Sequence, residues 1–210
     1  MVLDSYRKAA DRVLTPVASR IHRLSPNIIS WISLLAAGLT GAFVFLSGHI
    51  DSVLALSLAL VALVVSSFFD ALDGKVARLR GIDSKRGDFL DHVFDRYSDV
   101  FIIVGLFFSI YTRQWVALFG LLGILLTSYM GTQAQAVGVG RIYGGVLGRA
   151  DRLVILLLVI TLHLALDPSA TMLLGYRDLS FTMMEYALLL FGVLGNLTAI
   201  QRAVATWRHL

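Results

Sequence analysis

Four aspartates in two closely spaced pairs are the residues whose types and spacing point most directly to chemistry. Asp70 and Asp73 are three residues apart and Asp91 and Asp95 are four apart, so each pair shares one face if its segment is helical. Carboxylates brought together in this way repel one another strongly unless cations neutralise them. Oxygen ligands of this kind suit Mg²⁺ or Mn²⁺. Two such ions sharing the carboxylates could clamp a diphosphate.

Residues beside the aspartates fit a phosphate ligand. Gly74 removes a side chain where a ligand could approach the backbone, and Arg78 offers a fixed, positively charged fork for phosphate. The alternative is that the aspartates are ordinary charges at helix ends, solvated and paired with the basic residues Lys75, Arg78, Lys85 and Arg86. That alternative explains a single aspartate as well as a metal site does, but it explains the full set poorly.

The composition of the whole chain indicates a membrane protein. Apolar types make up 57% of the 210 residues, charged types make up 15%, and the mean hydropathy is +0.78. A soluble domain carries roughly 25% charged residues, so this chain has too little polar surface to coat a globule in water. Cysteine is absent, which excludes thiolate nucleophiles, zinc–thiolate sites, iron–sulfur clusters and disulfide scaffolds. We expect a lipid bilayer, and no nucleic acid, as the protein's partner.

Six apolar segments are candidate transmembrane helices, since a span needs about 20 largely apolar residues. We therefore predict an all-α integral membrane fold with six spans, at 28–46, 53–69, 95–111, 116–129, 153–166 and 181–200. The third has a continuous apolar run only over residues 100–110. It reaches spanning length if its helix begins earlier and carries Asp91, Asp95 and Asp99, which must then face protein or water.

Basic residues predict the orientation of the bundle. With six spans, 16 of the 18 Lys and Arg residues fall on one side, and Arg113 and Arg177 fall on the other. Positively charged loops face the cytoplasm, so we predict a multi-pass cell-membrane protein whose termini and aspartate motif are cytoplasmic. The first apolar run begins only near Ile28, after a charged segment, so we expect the first span to remain in the mature protein.

The segment before the first span is amphipathic. Apolar residues recur in it with nearly helical periodicity among several arginines, which predicts an N-terminal helix on the membrane surface. Thr15 and Pro16 predict a restart within that helix. Ser25 and Pro26 then predict a cap and a first turn for the first span. We expect one domain over residues 1–210, with the juxtamembrane helix at 1–25 and a six-helix bundle at 26–210.

The motif Asp70-x₂-Asp73-Gly74-x₂-Ala77-Arg78-x₈-Gly87-x₃-Asp91-x₃-Asp95 resembles, at every fixed position, the signature of the CDP-alcohol phosphotransferase family. The resemblance covers essentially the whole chain, because family members have an N-terminal surface helix and six spans. They are typically homodimers with a polar cavity open to the cytoplasm. Their activity transfers a phosphatidyl-type group from a CDP-linked lipid to an acceptor hydroxyl and releases CMP.

The resemblance implies a role for each motif residue. Asp70, Asp73 and Asp91 are implied metal ligands for two ions of Mg²⁺ or Mn²⁺. Asp95 is implied to be both a ligand and the general base. Contacts to the CDP-linked lipid are implied for Gly74, Arg78 and Ser84, and for the start of the first span at Asn27, Ile28, Ile29 and Ser30.

The remaining ionisable residues near these positions have weaker interpretations. We treat Asp88 and His92 as scaffold, because they fall at variable positions of the motif. Asp99 lies one turn beyond Asp95, and an ion pair with a neighbouring helix explains it as well as a catalytic role does. Glu185 lies near the outer end of the last span, where we expect it to be solvated or paired.

A second basic set, at Arg149, Arg152 and Arg202, bears on the acceptor. These residues could be positive-inside anchors, but they also resemble the arginines with which phosphatidylinositol-phosphate synthases hold the acceptor's phosphate. Bacterial members of that branch carry a lysine where this chain has Gly131, and the stretch 131–138 looks more like the archaetidylinositol-phosphate synthases. The resemblance implies CDP-archaeol or CDP-diacylglycerol as donor. It implies a phosphorylated polyol as acceptor, with inositol 1-phosphate preferred and glycerol 3-phosphate as the alternative.

Two other classes of protein use clustered carboxylates. Prenyl-diphosphate enzymes bind Mg²⁺-diphosphate through paired Asp-rich motifs, but they release diphosphate rather than CMP. A divalent-cation transporter could also use such a cluster, although transport sites usually lie near the middle of the membrane. The predicted position of these aspartates is a cytoplasmic boundary.

Overall fold

The computed structural model describes residues 7–21, 23–81, 84–142, 144–166, 172–173 and 180–210. Most of these residues lie in helices: α1 (Arg7–Arg20), α2 (Pro26–Leu46), α3 (Ser52–Arg80), α4 (Lys85–Phe108), α5 (Gln114–Ala136), α6 (Arg149–Ala165) and α7 (Met183–Trp207). A short antiparallel pair, β1 (Met172–Leu173) and β2 (Phe181–Thr182), precedes α7. The helical fold is as predicted, apart from this pair. The last predicted span began at Phe181, which is extended, and its helix begins at Met183.

Four of the described helices, α2, α3, α5 and α7, are long and apolar enough to cross a membrane. Helix α4 does not meet that criterion because charged residues fill its N-terminal half. Helix α6 does not meet it because it has only 17 residues, and charged residues occupy its first turn. The chain is thus a helical membrane protein. The crossing of the membrane by α4 and α6, which the six-span arrangement requires, stays a prediction.

The chain forms two compact units, Leu3–Gly105 and Leu106–Leu210. We call them the first unit and the second unit. The boundary falls in the last turn of α4, so the first unit holds α1 to α3 and nearly all of α4, and the second holds α5 to α7. The assignment of residues 1–210 to a single domain stays a prediction.

Helix α1 packs its apolar face on α2 and α3. Ala18 is buried against Ile29 of α2 and against Leu72 and Val76 of α3, and neighbouring α1 residues surround this cluster. The predicted restart at Pro16 is wrong, because α1 is one continuous helix through that residue. Tertiary packing of the residues after Pro16 outweighs the backbone hydrogen bond that proline cannot make. The position of α1 on a membrane surface stays a prediction.

Small residues let α2 approach its neighbours closely within the first unit. The hydroxyl of Ser33 donates to the carbonyl oxygen of Ser66 on α3 at 2.9 Å. A Cβ atom on Gly41 would overlap the carbonyl oxygen of Phe101 on α4, and one on Gly105 would overlap the backbone of Gly41. Close contact of this kind through small residues is typical of membrane helices. It fixes α4, which carries the second aspartate pair, beside α2.

Small residues also allow α5 and α7 to pack closely in the second unit. A Cβ atom on Gly123 would overlap the carbonyl oxygen of Phe191, and one on Gly195 would overlap the backbone of Gly123. The buried hydroxyl of Thr127 donates either within α5, to the carbonyl of Gly123, or across to that of Gly195, each at 2.8 Å. These contacts hold α5 and α7 together along the segment that precedes Arg202.

Glu185 ties the start of α7 to the start of α5. Its side chain is 2% exposed and accepts hydrogen bonds from the backbone N–H groups of Arg113 (2.8 Å) and Thr182 (3.0 Å). The guanidinium of Arg113 lies 3.6 Å from the same carboxylate. Of the two expectations for Glu185, solvation or pairing, the structure shows pairing.

Candidate active site

Helix α3 carries the first aspartate pair well beyond the end of the predicted span. The apolar run ends at Phe69, but the helix continues to Arg80 and has 29 residues, or about 43 Å at 1.5 Å per residue. It ends at Gly81, whose φ of 61° is the left-handed conformation that glycine favours at a helix end. Asp70, Asp73 and Arg78 therefore all lie on the last turns of one helix.

Ser84 leads directly into α4, which brings the second aspartate pair close to the first. Its hydroxyl accepts a hydrogen bond from the backbone N–H of Gly87 at 3.1 Å, as a helix N-cap does. A Cβ atom on Gly87 would lie 3.4 Å from that same hydroxyl. Ser84, for which the resemblance implies a contact to the CDP-linked lipid, is thus also the N-cap of α4, the helix that carries Asp91 and Asp95.

Asp73 is the most buried carboxylate of the motif, with 6% of its surface exposed. It lies close enough to Asp70 and Asp91 for their like charges to act on it. The hydroxyl of Ser30 on α2 donates to Asp73 Oδ2 at 2.5 Å. Since burial of a charge beside other negative charges is costly, this arrangement favours a bound cation.

Asp91, His92 and Asp95 form a second cluster on α4. One potential ligand atom from each lies within 4.8 Å of the others, and all three side chains are partly buried. This donor set, together with Asp70 and Asp73, fits a hard divalent cation such as Mg²⁺ or Mn²⁺. His92 also lies 3.3 Å from Asp88, as its i, i+4 spacing allows. His92, which the sequence predicts to be scaffold, lies in this cluster as a potential ligand.

Arg96 is a component of the site that the sequence analysis missed. Its Nη1 lies 3.1 Å from Asp99 Oδ2, and its Nη2 lies 3.9 Å from Asp95 Oδ2. Asp99 is 6% exposed, and this ion pair with Arg96 lies within its own helix. The i, i+3 spacing of Arg96 and Asp99 in the sequence was the signal that could have indicated this pair.

A cavity of about 430 Å³ opens where the start of α2, the end of α3 and the start of α4 meet. Its walls include seven residues for which the family resemblance implies a role in binding: Asn27, Ser30, Asp73, Gly74, Arg78, Ser84 and Asp91. Ile28 and Ile29 are not among its lining residues. Ile28 is exposed, and Ile29 packs against Ala18 of α1. Positions 27 and 30 share one face of α2, whereas the two isoleucines point elsewhere.

Gly74 leaves space for the Arg78 side chain at the wall of this cavity. The Nη1 of Arg78 lies 3.3 Å from the position that a Cβ atom on Gly74 would occupy. Glycine therefore makes room for the guanidinium to lie back against α3. Both residues line the cavity, and their contacts to the CDP-linked lipid stay predictions.

The three arginines proposed for the acceptor lie in the second unit. Arg149 begins α6, and Arg152, in the same turn, is 4% exposed. Arg202 on α7 is 8% exposed and donates from Nε to the carbonyl of Gly144 (2.8 Å) and from Nη1 to that of Thr127 (2.7 Å).

A Cβ atom on Gly131 would lie 2.9 Å from Nη1 of Arg202. Gly131 thus provides the space for the Arg202 guanidinium.

The chain resembles known proteins over most or all of its length. Residues 23–194 match the model of the family described as CDP-alcohol phosphatidyltransferase. The archaetidylinositol phosphate synthase of Methanothermobacter thermautotrophicus is 32% identical over 209 residues, covering 100% of this chain and 96% of the relative. The phosphatidylinositol phosphate synthase of Cutibacterium acnes is 28% identical, covering 99% of this chain and 98% of the relative.

A solved structure shares the fold. The phosphatidylinositol phosphate synthase of Mycobacterium tuberculosis, in a crystal structure with CDP-DAG bound, aligns with a TM-score of 0.73 and 25% identity. The alignment covers 93% of this chain and 94% of the other. These matches favour a CDP-alcohol phosphatidyltransferase over the prenyl-diphosphate enzyme and the cation transporter that the carboxylates alone left open. The chain belongs to the CDP-alcohol phosphatidyltransferase family, a family of transferases.

Proposed function

We propose that this transferase moves the lipid-phosphate group of CDP-archaeol or CDP-diacylglycerol to a hydroxyl of inositol 1-phosphate and releases CMP. The observation that carries the proposal is the cavity at the ends of α2, α3 and α4, in which Arg78, Ser30 and two motif aspartates converge. The inositol phosphate acceptor is supported by the activities named for the relatives. Glycerol 3-phosphate is the alternative acceptor, because it presents one phosphate to the same arginines.

The residues of the first unit have distinct tasks in this reaction. Asp70, Asp73, Asp91 and Asp95 would hold two divalent ions, Mg²⁺ or Mn²⁺, which when bound supply positive charge to the diphosphate. Ser30 orients Asp73 through its hydrogen bond. Arg78 presents its guanidinium to the phosphate that leaves with CMP.

Asp95 is the proposed general base. Its carboxylate accepts the proton of the acceptor hydroxyl while the acceptor oxygen bonds to the lipid-side phosphorus. The bond from that phosphorus to the bridging oxygen then breaks, and the oxygen leaves with CMP. Arg96 lies 3.9 Å from Asp95 Oδ2 and closer, at 3.1 Å, to Asp99 Oδ2, so its shorter ion pair is with Asp99.

In the second unit, Arg149, Arg152 and Arg202 would bind the phosphate of the acceptor. Charge-assisted hydrogen bonds from guanidinium groups are the strongest that a protein offers a phosphate. The proposal includes six spans, an N-terminal surface helix, cytoplasmic termini and a cytoplasmic active site, and a homodimer. The charge asymmetry of the sequence supports the orientation.

A CMP-release assay with purified protein tests the proposal. The assay crosses CDP-archaeol and CDP-diacylglycerol with inositol 1-phosphate, glycerol 3-phosphate, serine and free inositol. We expect release only with a phosphorylated polyol, highest with inositol 1-phosphate, and none in EDTA. Asp91→Asn and Asp95→Asn should abolish release, whereas Asp88→Asn, on the same helix, should retain most of it. Equal rates with inositol and inositol 1-phosphate would exclude the phosphate-binding role of the arginines.

A further inference from the structure

We propose that Thr198 of α7 is a positioning residue for the acceptor pocket. Its hydroxyl holds the segment 144–147 against α7 and thereby sets the place where α6 begins with Arg149. This inference rests on the proposed function, which assigns Arg149 to the acceptor's phosphate. Thr198 itself makes no contact with the acceptor in this proposal.

Thr198 contacts the segment 144–147 through both its hydroxyl and its methyl group. The side chain is 0% exposed, and its Oγ1 lies 3.2 Å from the backbone nitrogen of Val146 and 3.4 Å from that of Leu147. The hydroxyl oxygen therefore accepts from two consecutive N–H groups of the segment. Gly145 has a φ of 138°, and a Cβ atom there would overlap the methyl group of Thr198. The segment is thus fitted to this threonine in both shape and hydrogen bonding.

Arg202 supports the same segment one helical turn further along α7. Its Nε donates to the carbonyl of Gly144 at 2.8 Å, while its Nη1 donates to Thr127 on α5 at 2.7 Å. Residues 198 and 202 are four apart and share one face of the helix. That face therefore holds the segment at both its beginning and its end.

The held segment connects directly to α6. Leu147 is buried, Gly148 follows, and Arg149 is the first residue of the helix. The carboxylate of Asp151 accepts from the N–H of Gly148 at 2.8 Å and so caps the helix at this point. Because a single residue separates Leu147 from Arg149, loss of the Thr198 hydrogen bonds should displace the first turn of α6.

A second buried hydroxyl gives a matched control. Thr127 is 4% exposed and bonds to backbone carbonyls of α5 and α7, but its side chain has no bond to the segment 144–147 among the described contacts. Replacement of either threonine by valine removes a hydroxyl and keeps the shape. A purely structural effect should therefore be similar for Thr127→Val and Thr198→Val.

The experiment combines hydrogen exchange with steady-state kinetics on the full-length protein in detergent. We expect Thr198→Val to speed amide exchange at Val146 and Leu147. We also expect it to raise the KM for inositol 1-phosphate on the order of tenfold, with the KM for the CDP-linked lipid unchanged. Thr198→Ser, which keeps the hydroxyl, should behave like the wild type in both measurements. Thr127→Val should leave the exchange of this segment unchanged.

The variant Arg149→Ala distinguishes a failure of this inference from a failure of the proposed acceptor pocket. If Arg149→Ala raises the acceptor KM and Thr198→Val does not, the positioning role of Thr198 is wrong and the acceptor pocket stands. Unchanged exchange at Val146 and Leu147 in Thr198→Val would also overturn the positioning role. If Arg149→Ala leaves the acceptor KM unchanged, the acceptor pocket itself is wrong, and the role of Thr198 in it is refuted as well.

Discussion

Ser30 tests the metal interpretation directly, because it contacts the carboxylate of Asp73 without being a proposed metal ligand. Ser30 and Asp73 are 9% and 6% exposed, and the serine hydroxyl donates to Asp73 Oδ2 at 2.5 Å. The carbonyl of Pro26 lies 3.1 Å from the same hydroxyl. The hydroxyl has a single proton, and the nearer, negatively charged carboxylate is the stronger acceptor. Ser30→Ala therefore removes a charge-assisted hydrogen bond and leaves Asp73 Oδ2 without this donor.

The magnitude follows from the kind of bond. A hydrogen bond to a charged group contributes about 1.5–3 kcal/mol, which corresponds to roughly tenfold to a hundredfold in an equilibrium constant. Residues that orient metal ligands typically change metal affinity by about 10- to 100-fold when replaced. We therefore expect Ser30→Ala to raise the Mn²⁺ concentration that gives half-maximal CMP release by that factor. At saturating Mn²⁺ most of the wild-type kcat should return, because all four aspartates are retained.

Two measurements on the purified protein check this expectation. They are the rate of CMP release against Mn²⁺ concentration, and the thermal unfolding temperature at the same concentrations. Ser33→Ala is the matched control, since Ser33 is also buried on α2 and donates to α3, but to the backbone carbonyl of Ser66. A wild-type Mn²⁺ dependence in Ser30→Ala would refute the reasoning. An equal change in Ser33→Ala would assign the effect to helix packing instead.

Further predictions concern the helix crossing and the orientation in the membrane. Gly41→Ala should lower the stability of the protein by about 1–3 kcal/mol, because the new methyl group overlaps the backbone of Phe101, whereas Gly38→Ala should be tolerated. Thermal unfolding of both variants tests this, and equal stability would contradict the backbone contact. Single cysteines at His49 and Ser84, which flank α3, should react with impermeant maleimide only from outside and only from the cytoplasm, respectively. The reverse pattern in right-side-out and inverted vesicles would overturn the proposed orientation.

The sequence predicted the helices well but not their ends. Hydropathy places the end of the second span at Phe69, where apolar residues stop, although α3 continues to Arg80. Alanine, leucine, lysine and arginine fill most of residues 71–80 and are good helix formers whether or not the segment is apolar, and Gly81 provides the stop signal. For the same reason α4 begins at Lys85, well before the apolar run that indicated the third span. Hydropathy reports the membrane environment rather than the length of the helix.

Contacts within one helix were predictable, but those between helices were not. The i, i+3 and i, i+4 rule gives the faces that carry Asp70 with Asp73 and Asp91 with Asp95. The bond from Ser30 to Asp73 joins residues 43 positions apart, and no local pattern specifies which face of α2 meets α3. The sequence analysis implied Ser30 only through the family motif. The structure adds the partner, and with it a physical reason for a hydroxyl at that position.

The burial of the arginines in the second unit bears on their role. A basic residue that only anchors membrane topology gains from contact with water and headgroups, and has no reason to be buried. Arg152 and Arg202 are 4% and 8% exposed, so anchoring alone does not account for their burial, and their contact with the acceptor's phosphate stays a proposal. Backbone carbonyls already fix the guanidinium of Arg202, and Gly131 leaves the space for it. A guanidinium held in this way loses little freedom when it binds an anion, which is the property that a phosphate pocket requires.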